Sequence, residues 1–241
     1  ISASLASNLK ADMAAAGVDS TNAELIANSA LSLSSSLEGS VIMAFSTDSA
    51  GPLGQEVLYT KVAEAFTRGA MQGIAQTSLD ATLKKSASGV NAKTPIRTLS
   101  ERGDSLSDTE KADAVEAISQ TAVSNIELTG LPVSDLAAAL TEVSQQSVAA
   151  VASSGASASA MQDLVKKASS GATKGVGQLT TISASDAQSM VNAVAEGSVK
   201  ALSSVKTVGG GLDVSALLKD VTVALTSALN EVQSNLAASG I

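Results

Sequence analysis

Residues 118–126 read ISQTAVSNI, and near copies of this segment decide the fold expected for the chain. VSQQSVAAV (143–151) and ASSGATKGV (168–176) follow at intervals of about 25 residues. Three further segments fit the pattern: FTRGAMQGI (66–74), VAEGSVKAL (194–202) and ALTSALNEV (224–232). Repetition at such a period is typical of stacked supersecondary units that cannot bury their apolar faces alone. One helix per unit is the simplest interpretation; the alternative is that Ala/Ser-rich helices look alike through composition.

Helix start and stop signals surround these segments. Capping boxes, in which two residues three apart satisfy each other's backbone N–H groups, fit Thr21–Glu24, Ser107–Glu110, Ser159–Gln162 and, more loosely, Ser183–Asp186. Glycines such as Gly130 follow the apolar periods and can close a helix in the left-handed conformation. The signals predict helices over 3–16, 21–38, 52–76, 78–86, 107–128, 132–153, 159–179, 184–206 and 213–238.

The expected fold is therefore all-α, with eight or nine helices depending on whether the short 78–86 segment counts. Aromatic residues make up 1% of the chain, so the core must consist of Ala, Val, Leu, Ile and Met. Small side chains let helix axes approach closely, but each buries little area, at about 25 cal/mol per Å². The sequence predicts small-residue (Ala/Ser/Val) packing in a repeat-like arrangement, with a closed bundle and an open solenoid as alternatives.

Three segments depart from the helical pattern. The stretch 87–105, with Pro95 and scattered charges, predicts a long loop or a domain boundary. We accordingly divide the chain into 1–88, a connection 89–106 and a repeat region 107–241, or else one continuous domain. The apolar run 39–47 predicts a short strand or an extended segment. Helix 159–179 is expected to bend or end early, because interior glycines each cost about 1 kcal/mol relative to Ala.

Charge and composition exclude several classes of function. The formal net charge is −8, and no aromatic stacking platform is present, which argues against nucleic-acid binding. Without cysteine the chain has no disulfide, thiolate chemistry or Cys-type zinc site. No apolar run of about 18 residues occurs, so we predict no membrane span. The chain starts at Ile1, which favours removal of a leader or a larger N-terminal part and, with the missing cysteines, export.

Motifs for catalysis and metal binding are weak. With no histidine, a serine nucleophile would need a lysine or a carboxylate as base, and Ser203 with Lys206 lacks the companion motifs of Ser-x-x-Lys enzymes. Glycines 209–211 lack a phosphate-binding pattern. Acidic residues between 101 and 116 lack a calcium-loop spacing, and Asp108 suits the positive end of a helix dipole. We predict no catalytic, metal or cofactor site and a protein that is not an enzyme.

Two charged regions and one apolar run are candidates for contacts between subunits. A basic island comprises Lys84, Lys85, Lys93, Arg97 and Arg102, just before the acidic residues. Opposite charges on neighbouring subunits could fix the register of a head-to-tail assembly; the alternative is a solvated surface. The candidate contact residues are Val41, Ile42, Met43, Phe45, Lys84, Lys85, Arg97, Arg102, Asp104 and Asp108.

The Ser-x-x-(Ala/Ser)-Val centre of the repeated segments resembles the Ala/Ser-rich helical-repeat regions of secreted or surface-displayed bacterial proteins, over about half of the chain. This compositional resemblance implies no site residues. It implies a non-enzymatic structural protein that packs with copies of itself into a fibre, layer or coat, outside the cell or on its surface. The alternative function is a helical binding module for an apolar ligand or a partner helix.

Overall fold

The computed structural model describes residues 55–77, 79–102, 106–152, 156–205 and 213–238. Within these ranges the chain forms seven α-helices and a short 3-10 turn, and no strand. The helices are α1 Gln55–Ala75, α2 Ala81–Arg102, α3 Asp108–Ser124, α4 Val133–Ala152, α5 Ala158–Val176, α6 Ala184–Val205 and α7 Val214–Ala238. The predicted all-α class is confirmed for these ranges. The predicted helices 3–16 and 21–38 and the run 39–47 lie outside them.

Side-chain caps fix where several helices begin. Two of the three predicted boxes in the described ranges, Ser107–Glu110 and Ser183–Asp186, form with reciprocal hydrogen bonds of 2.7 to 3.3 Å. The box predicted at Ser159 is wrong, because Ser157 accepts from the Ala160 N–H and the N-cap of α5 lies two residues earlier than predicted. Two serines with equal capping ability stand here, and sequence alone does not distinguish them.

The end of α3 also differs from the prediction. The sequence predicts a helix to residue 128, whereas α3 ends at Ser124 and the 3-10 turn Ile126–Thr129 follows. Gly130 then takes a left-handed conformation with φ of 68°, as its expected role as a helix stop requires. The chain can therefore reverse into α4 within a few residues.

The helices pack most extensively on the helix next but one in sequence, rather than on their immediate neighbours. α1, α3, α5 and α7 form one row, and α2, α4 and α6 form a second row. We call these the odd row and the even row. Contacts within a row therefore join residues about 50 positions apart in the sequence. Examples are the hydrogen bonds from Ser144 to Val194 and from Thr180 to Glu127.

The apolar core lies between the two rows and has two clusters, one at each end. One cluster joins the C-terminal ends of odd helices to the N-terminal ends of even helices, and includes Ile74, Leu83, Leu136 and Met190. The other joins the opposite ends and includes Tyr59, Leu99, Val115, Val151 and Leu202. Helices of the two rows therefore run in opposite directions.

Small hydroxyl residues occupy one repeated position in this core. Thr67, Ser119, Ser144 and Ser169 each stand second in one of the aligned segments, and each is at most 1% exposed. Thr67 donates to the Ala63 carbonyl, and Ser144 donates to the Val194 carbonyl of the next even helix. Ser119 Oγ has no hydrogen-bond partner. Four of the six aligned segments thus place a hydroxyl residue in a buried position.

The predicted loop over 87–105 is wrong for residues 87–102, because α2 continues through Gly89 and Pro95. Its buried hydroxyls account for this result. Ser88, Thr94 and Thr98 each donate to the backbone carbonyl four residues earlier, at 2.8 to 2.9 Å. Polar side chains that bond to their own helix can be buried without an outside partner. A helix therefore crosses the predicted boundary at residue 88, while the division into domains stays a prediction.

The turn of α2 that contains proline is closed by a side chain from α1. Proline has no N–H and normally breaks a helix interior. Here the buried Tyr59 hydroxyl donates to the Pro95 carbonyl at 2.7 Å. Burial raises the pKa of Tyr59 above its ordinary value, against the opposing effect of the Leu99 backbone N–H. The phenol therefore stays protonated and can act as the donor.

We expect Tyr59→Phe to lower the free energy of unfolding by about 1–3 kcal/mol, because it leaves buried backbone groups of α2 without this hydroxyl. Urea denaturation followed by circular dichroism measures the change. Phe66→Leu on the same helix is the control, since it alters the apolar volume of a half-buried residue and removes no hydrogen bond. A Tyr59→Phe protein as stable as the parent would contradict this role.

Candidate functional site

Glycines allow the backbones of α3 and α5 to approach within the odd row. A Cβ atom at Gly171 would lie 2.1 Å from the Glu116 carbonyl oxygen, and one at Gly175 would lie 2.6 Å from that of Gln120. Only glycine fits such a contact without displacing a backbone. α5 ends at Val176, three residues before the predicted end at 179, but it runs unbroken through Gly171 and Gly175, because these glycines allow packing that offsets their low helix propensity.

The even row contains the same contact. A Cβ atom at Gly197 of α6 would lie 2.3 Å from the Thr141 carbonyl oxygen of α4. Glu116 and Thr141 each stand two residues before an aligned segment, and Gly171 and Gly197 each stand fourth in one. One junction in each row of the described part thus has the same close approach in the same register, and we call it the glycine contact.

α1 presents the glycine side of this contact, and no other described helix packs against it there. Gly69 and Gly73 stand at the positions of Gly171 and Gly175 in the aligned segment 66–74. A Cβ atom at either would meet nothing within 4 Å. Ala65, Arg68 and Gln72 on the same side of the helix are exposed.

An ion-pair network flanks the glycine contact between α3 and α5. Glu116 accepts from Lys167 at 2.6 Å, from Lys174 at 3.0 Å and from Ser170 at 2.9 Å. Asp113 also pairs with Lys167, at 2.9 Å. Burial works to raise the pKa of Glu116, but these donors outweigh it and hold the pKa below its ordinary value. The carboxylate therefore stays charged at neutral pH and fixes the register of the two helices.

A second carboxylate joins the loops that follow α3 and α5. Glu127 accepts the backbone N–H groups of Thr180 and Thr181, the shortest at 2.9 Å, and both of their hydroxyls, at 3.1 and 2.6 Å. Burial raises the pKa of Glu127, whereas the hydrogen bonds from Thr181 and Thr180 lower it, and the net shift is downward. This clamp holds the α5–α6 loop against the end of α3.

An open groove lies between α4 and α6 on the exposed side of the even row, with a volume of about 630 Å³. Its floor contains Ala137 and Ala193, and its sides carry Glu142, Asn192 and the pair Glu196–Lys200, which is 2.6 Å apart. The corresponding junction of the odd row is filled by the Glu116 network. The lining of the groove mixes alanines with amide and charged side chains, and no large apolar side chain contributes to it.

Several of the predicted subunit-contact residues make contacts with other residues of the same chain. Lys84 donates to the Thr129 carbonyl at 3.3 Å, and Lys85 pairs with Asp135 at 3.3 Å. Arg97 is half-buried in α2, Arg102 is the last residue of α2, and Asp108 is exposed at the start of α3. Outside the described ranges lie Val41, Ile42, Met43, Phe45 and Asp104. All ten stay predictions as subunit contacts, and the structure does not bring the five described residues together as one site.

Sequence reasoning missed the residues with the strongest contacts. Glu116 was assigned only to an acidic group, and Gly171 was interpreted as a weak point of its helix. The available signal was the position of glycine within the aligned segments, fourth in 66–74, 168–176 and 194–202. Glu127 carried no signal, because its partners lie more than 50 residues away.

The described residues contain no group of three or more acidic side chains placed to hold a metal ion. Ser203 donates to the Lys200 carbonyl at 2.7 Å, and Lys206 lies outside the described ranges. None of the described helices is long and apolar enough to cross a membrane, as the sequence predicts for them.

No protein-family model matches this chain, and no curated protein matches it at a significant level. The resemblance to Ala/Ser-rich repeat regions stays a prediction.

We expect Gly171→Ala to lower the free energy of unfolding by about 1–3 kcal/mol, because the new Cβ meets the Glu116 carbonyl. Gly69→Ala is the matched control. It has open space, and alanine's higher helix propensity should stabilise the protein by up to about 1 kcal/mol. Denaturant unfolding at low protein concentration measures both changes. Equal effects of the two substitutions would contradict the glycine contact.

We expect Glu127→Gln to make the protein about 1 kcal/mol less stable at neutral pH, a small loss because the carboxylate is partly solvated. The pKa of Glu127 is lowered on folding, so its contribution is complete above the ordinary value of 4.5 and is lost as pH falls through the folded-state pKa. The difference between parent and variant should therefore shrink below about pH 4.5.

Thermal unfolding measured from pH 7 down to pH 3 gives this difference. Thr180→Val with Thr181→Val removes the two hydroxyl donors, and should reproduce part of the loss at neutral pH. A constant gap between parent and Glu127→Gln over the whole range would rule out the clamp as its source.

Proposed function

We propose that this chain is a non-enzymatic structural protein whose helical rows associate with further copies of the chain to build an extended assembly. The observation that carries the proposal is the open odd row. Its end helices α1 and α7 are not in contact with each other in the described part of the chain. In this proposal the rows belong to an open, solenoid-like stack, since a closed bundle would bring the end helices together.

The chemistry of the row contacts supports association without large apolar patches. Large exposed hydrophobic residues in the described ranges are scattered: Val133, Val199 and Val223. Contacts within the rows use glycine, small hydroxyl residues and backbone atoms at close range. A contact of the same kind between copies would need only an exposed helix face with glycine at the matching positions, which α1 has.

Composition supports the remaining parts of the proposal. The chain has no Cys, His or Trp, and few of its groups titrate near neutral pH. Such an unreactive chain suits a protein made in quantity for a fibre, layer or coat. We place the assembly outside the cell or on its surface, in line with the resemblance to secreted repeat regions.

The groove between α4 and α6 favours a second candidate, a binding module for a partner helix. The groove is open and has a volume that could accept side chains from one face of a docked helix. Its two glutamates, one of them paired with Lys200, would select a partner with basic side chains. An apolar ligand is less well supported, because amides and charges line the groove.

Light scattering coupled to size-exclusion chromatography, over a wide range of concentrations of the full chain, tests the proposal. We expect the mass to rise with concentration beyond a dimer and the largest fraction to show regular polymers in electron micrographs. Glu142→Lys in the groove is the control, since it reverses a charge that the second candidate needs and leaves the row ends unchanged. A strict monomer at every concentration would overturn self-assembly.

A further inference from the structure

We propose that α7 of one copy docks on α1 of the next copy through the same glycine contact that joins α3 to α5, so that the odd row continues from chain to chain. The inference rests on the proposed self-assembly and names its interface. The occupant of the free face of α1 is thus a second copy of this chain. The contact is heterologous, and a heterologous contact that does not close a ring gives a filament.

The two glycine contacts within the chain are the precedent. In both, a backbone carbonyl of one helix lies against a glycine of the next helix in its row: Glu116 on Gly171, and Thr141 on Gly197. The carbonyl belongs to the residue two positions before an aligned segment, and the glycine is fourth in the next segment of the row. One occurs in the odd row and one in the even row. The same register therefore occurs in two different surroundings, at one junction of each row.

α7 presents the other half of the contact at the far end of the odd row. In the aligned segment 224–232, the position of Glu116 is taken by Thr222, that of Gln120 by Thr226 and that of Val123 by Leu229. Both threonines are exposed and Leu229 is half-buried. α7 therefore exposes residues at the segment positions that α3 uses to contact α5. α1 has glycines at the segment positions that α5 uses in that contact.

The hydrogen bonds of α7 suit burial of this face. Thr222 Oγ1 donates to the Leu218 carbonyl at 2.7 Å, and Thr226 Oγ1 donates to the Thr222 carbonyl at 2.8 Å. The buried Thr67 and Thr173 bond in the same way, to carbonyls four residues earlier. A partner helix would therefore cover methyl groups and satisfied hydroxyls, and no donor would lose a water partner without replacement.

The charges around the contact differ from those of its precedent. Lys219 takes the place of Asp113, and Ala65 takes that of Lys167, so the α3–α5 ion pair has no counterpart. Thr222 takes the place of Glu116 and needs no cation. Association through this contact should therefore change little between about 0.05 and 0.5 M salt, whereas contact between the basic island and the acidic residues would weaken.

The chain has no cysteine, which allows a direct test of register with the full-length protein. Ala65→Cys and Lys219→Cys are prepared separately, mixed, and treated with a short bis-maleimide. We expect the 65–219 cross-link between copies to exceed both self-cross-links by at least fivefold, because a head-to-tail contact brings these positions together. Cross-links of 65 to 65 in equal or greater amount would overturn the proposal in favour of a symmetric dimer.

Gly69→Leu with Gly73→Leu provides an independent test, because leucine side chains hold the partner backbone away. We expect this double variant to weaken self-association at least tenfold, about 1.4 kcal/mol, while its thermal unfolding as a monomer is unchanged or raised. Ala138→Leu, in the groove of the even row, is the matched control and should assemble as the parent does.

The possible outcomes separate this inference from the proposed function. A parent protein that assembles while the double-leucine variant assembles equally well overturns the interface but leaves self-assembly standing. A parent that stays monomeric overturns both. A double variant that unfolds more readily than the parent, without a change in association, shows instead that residues 1–54 of the same chain occupy this face, and also overturns the proposal.

Discussion

The close approach of helix backbones within each row is the constraint on which the rest of the structure depends. At Gly171 and Gly197 a single added carbon would lie within 2.3 Å of a carbonyl oxygen of the preceding row member. Helices this close cannot accommodate bulky side chains between them, which fits a chain with 1% aromatic residues. The apolar side chains lie instead in the two clusters between the rows, so the close approaches and the apolar core occupy different parts of the structure.

The buried hydroxyl groups of this core need hydrogen-bond partners, and several find them within their own helix. Thr67, Thr98 and Thr173 return their hydrogen bonds to carbonyls four residues earlier in their own helices. A buried hydroxyl satisfied in this way places no geometric demand on the neighbouring helix. Serine and threonine can therefore fill small spaces between rows as alanine would, which explains how an Ala/Ser-rich sequence forms a packed interior.

Charged contacts fix the register of neighbouring helices in the odd row, which contacts between small residues alone would not fix. Glu116 bonds to α5 beside the glycine contact, and Glu127 clamps the loop beyond it. Both contacts join residues more than 50 positions apart, the spacing of helices within one row. At the α4–α6 junction of the even row, the described residues leave an open groove instead. The two faces of the molecule therefore differ in shape.

The sequence by itself determined the helical class and most helix bounds of the described part of the chain, because caps, glycine stops and apolar periods act within a few residues. The loop predicted from the sequence was wrong at α2, where Pro95 and several hydroxyl residues are typical of a loop. In the structure the Tyr59 hydroxyl bonds to the Pro95 carbonyl, and the buried hydroxyls bond to carbonyls of their own helix. The sequence also misjudged Gly171, whose value depends on a carbonyl 55 positions earlier in the chain. Only the tertiary structure decided that helices pair with the next but one, because contacts between distant segments leave no local pattern in the sequence.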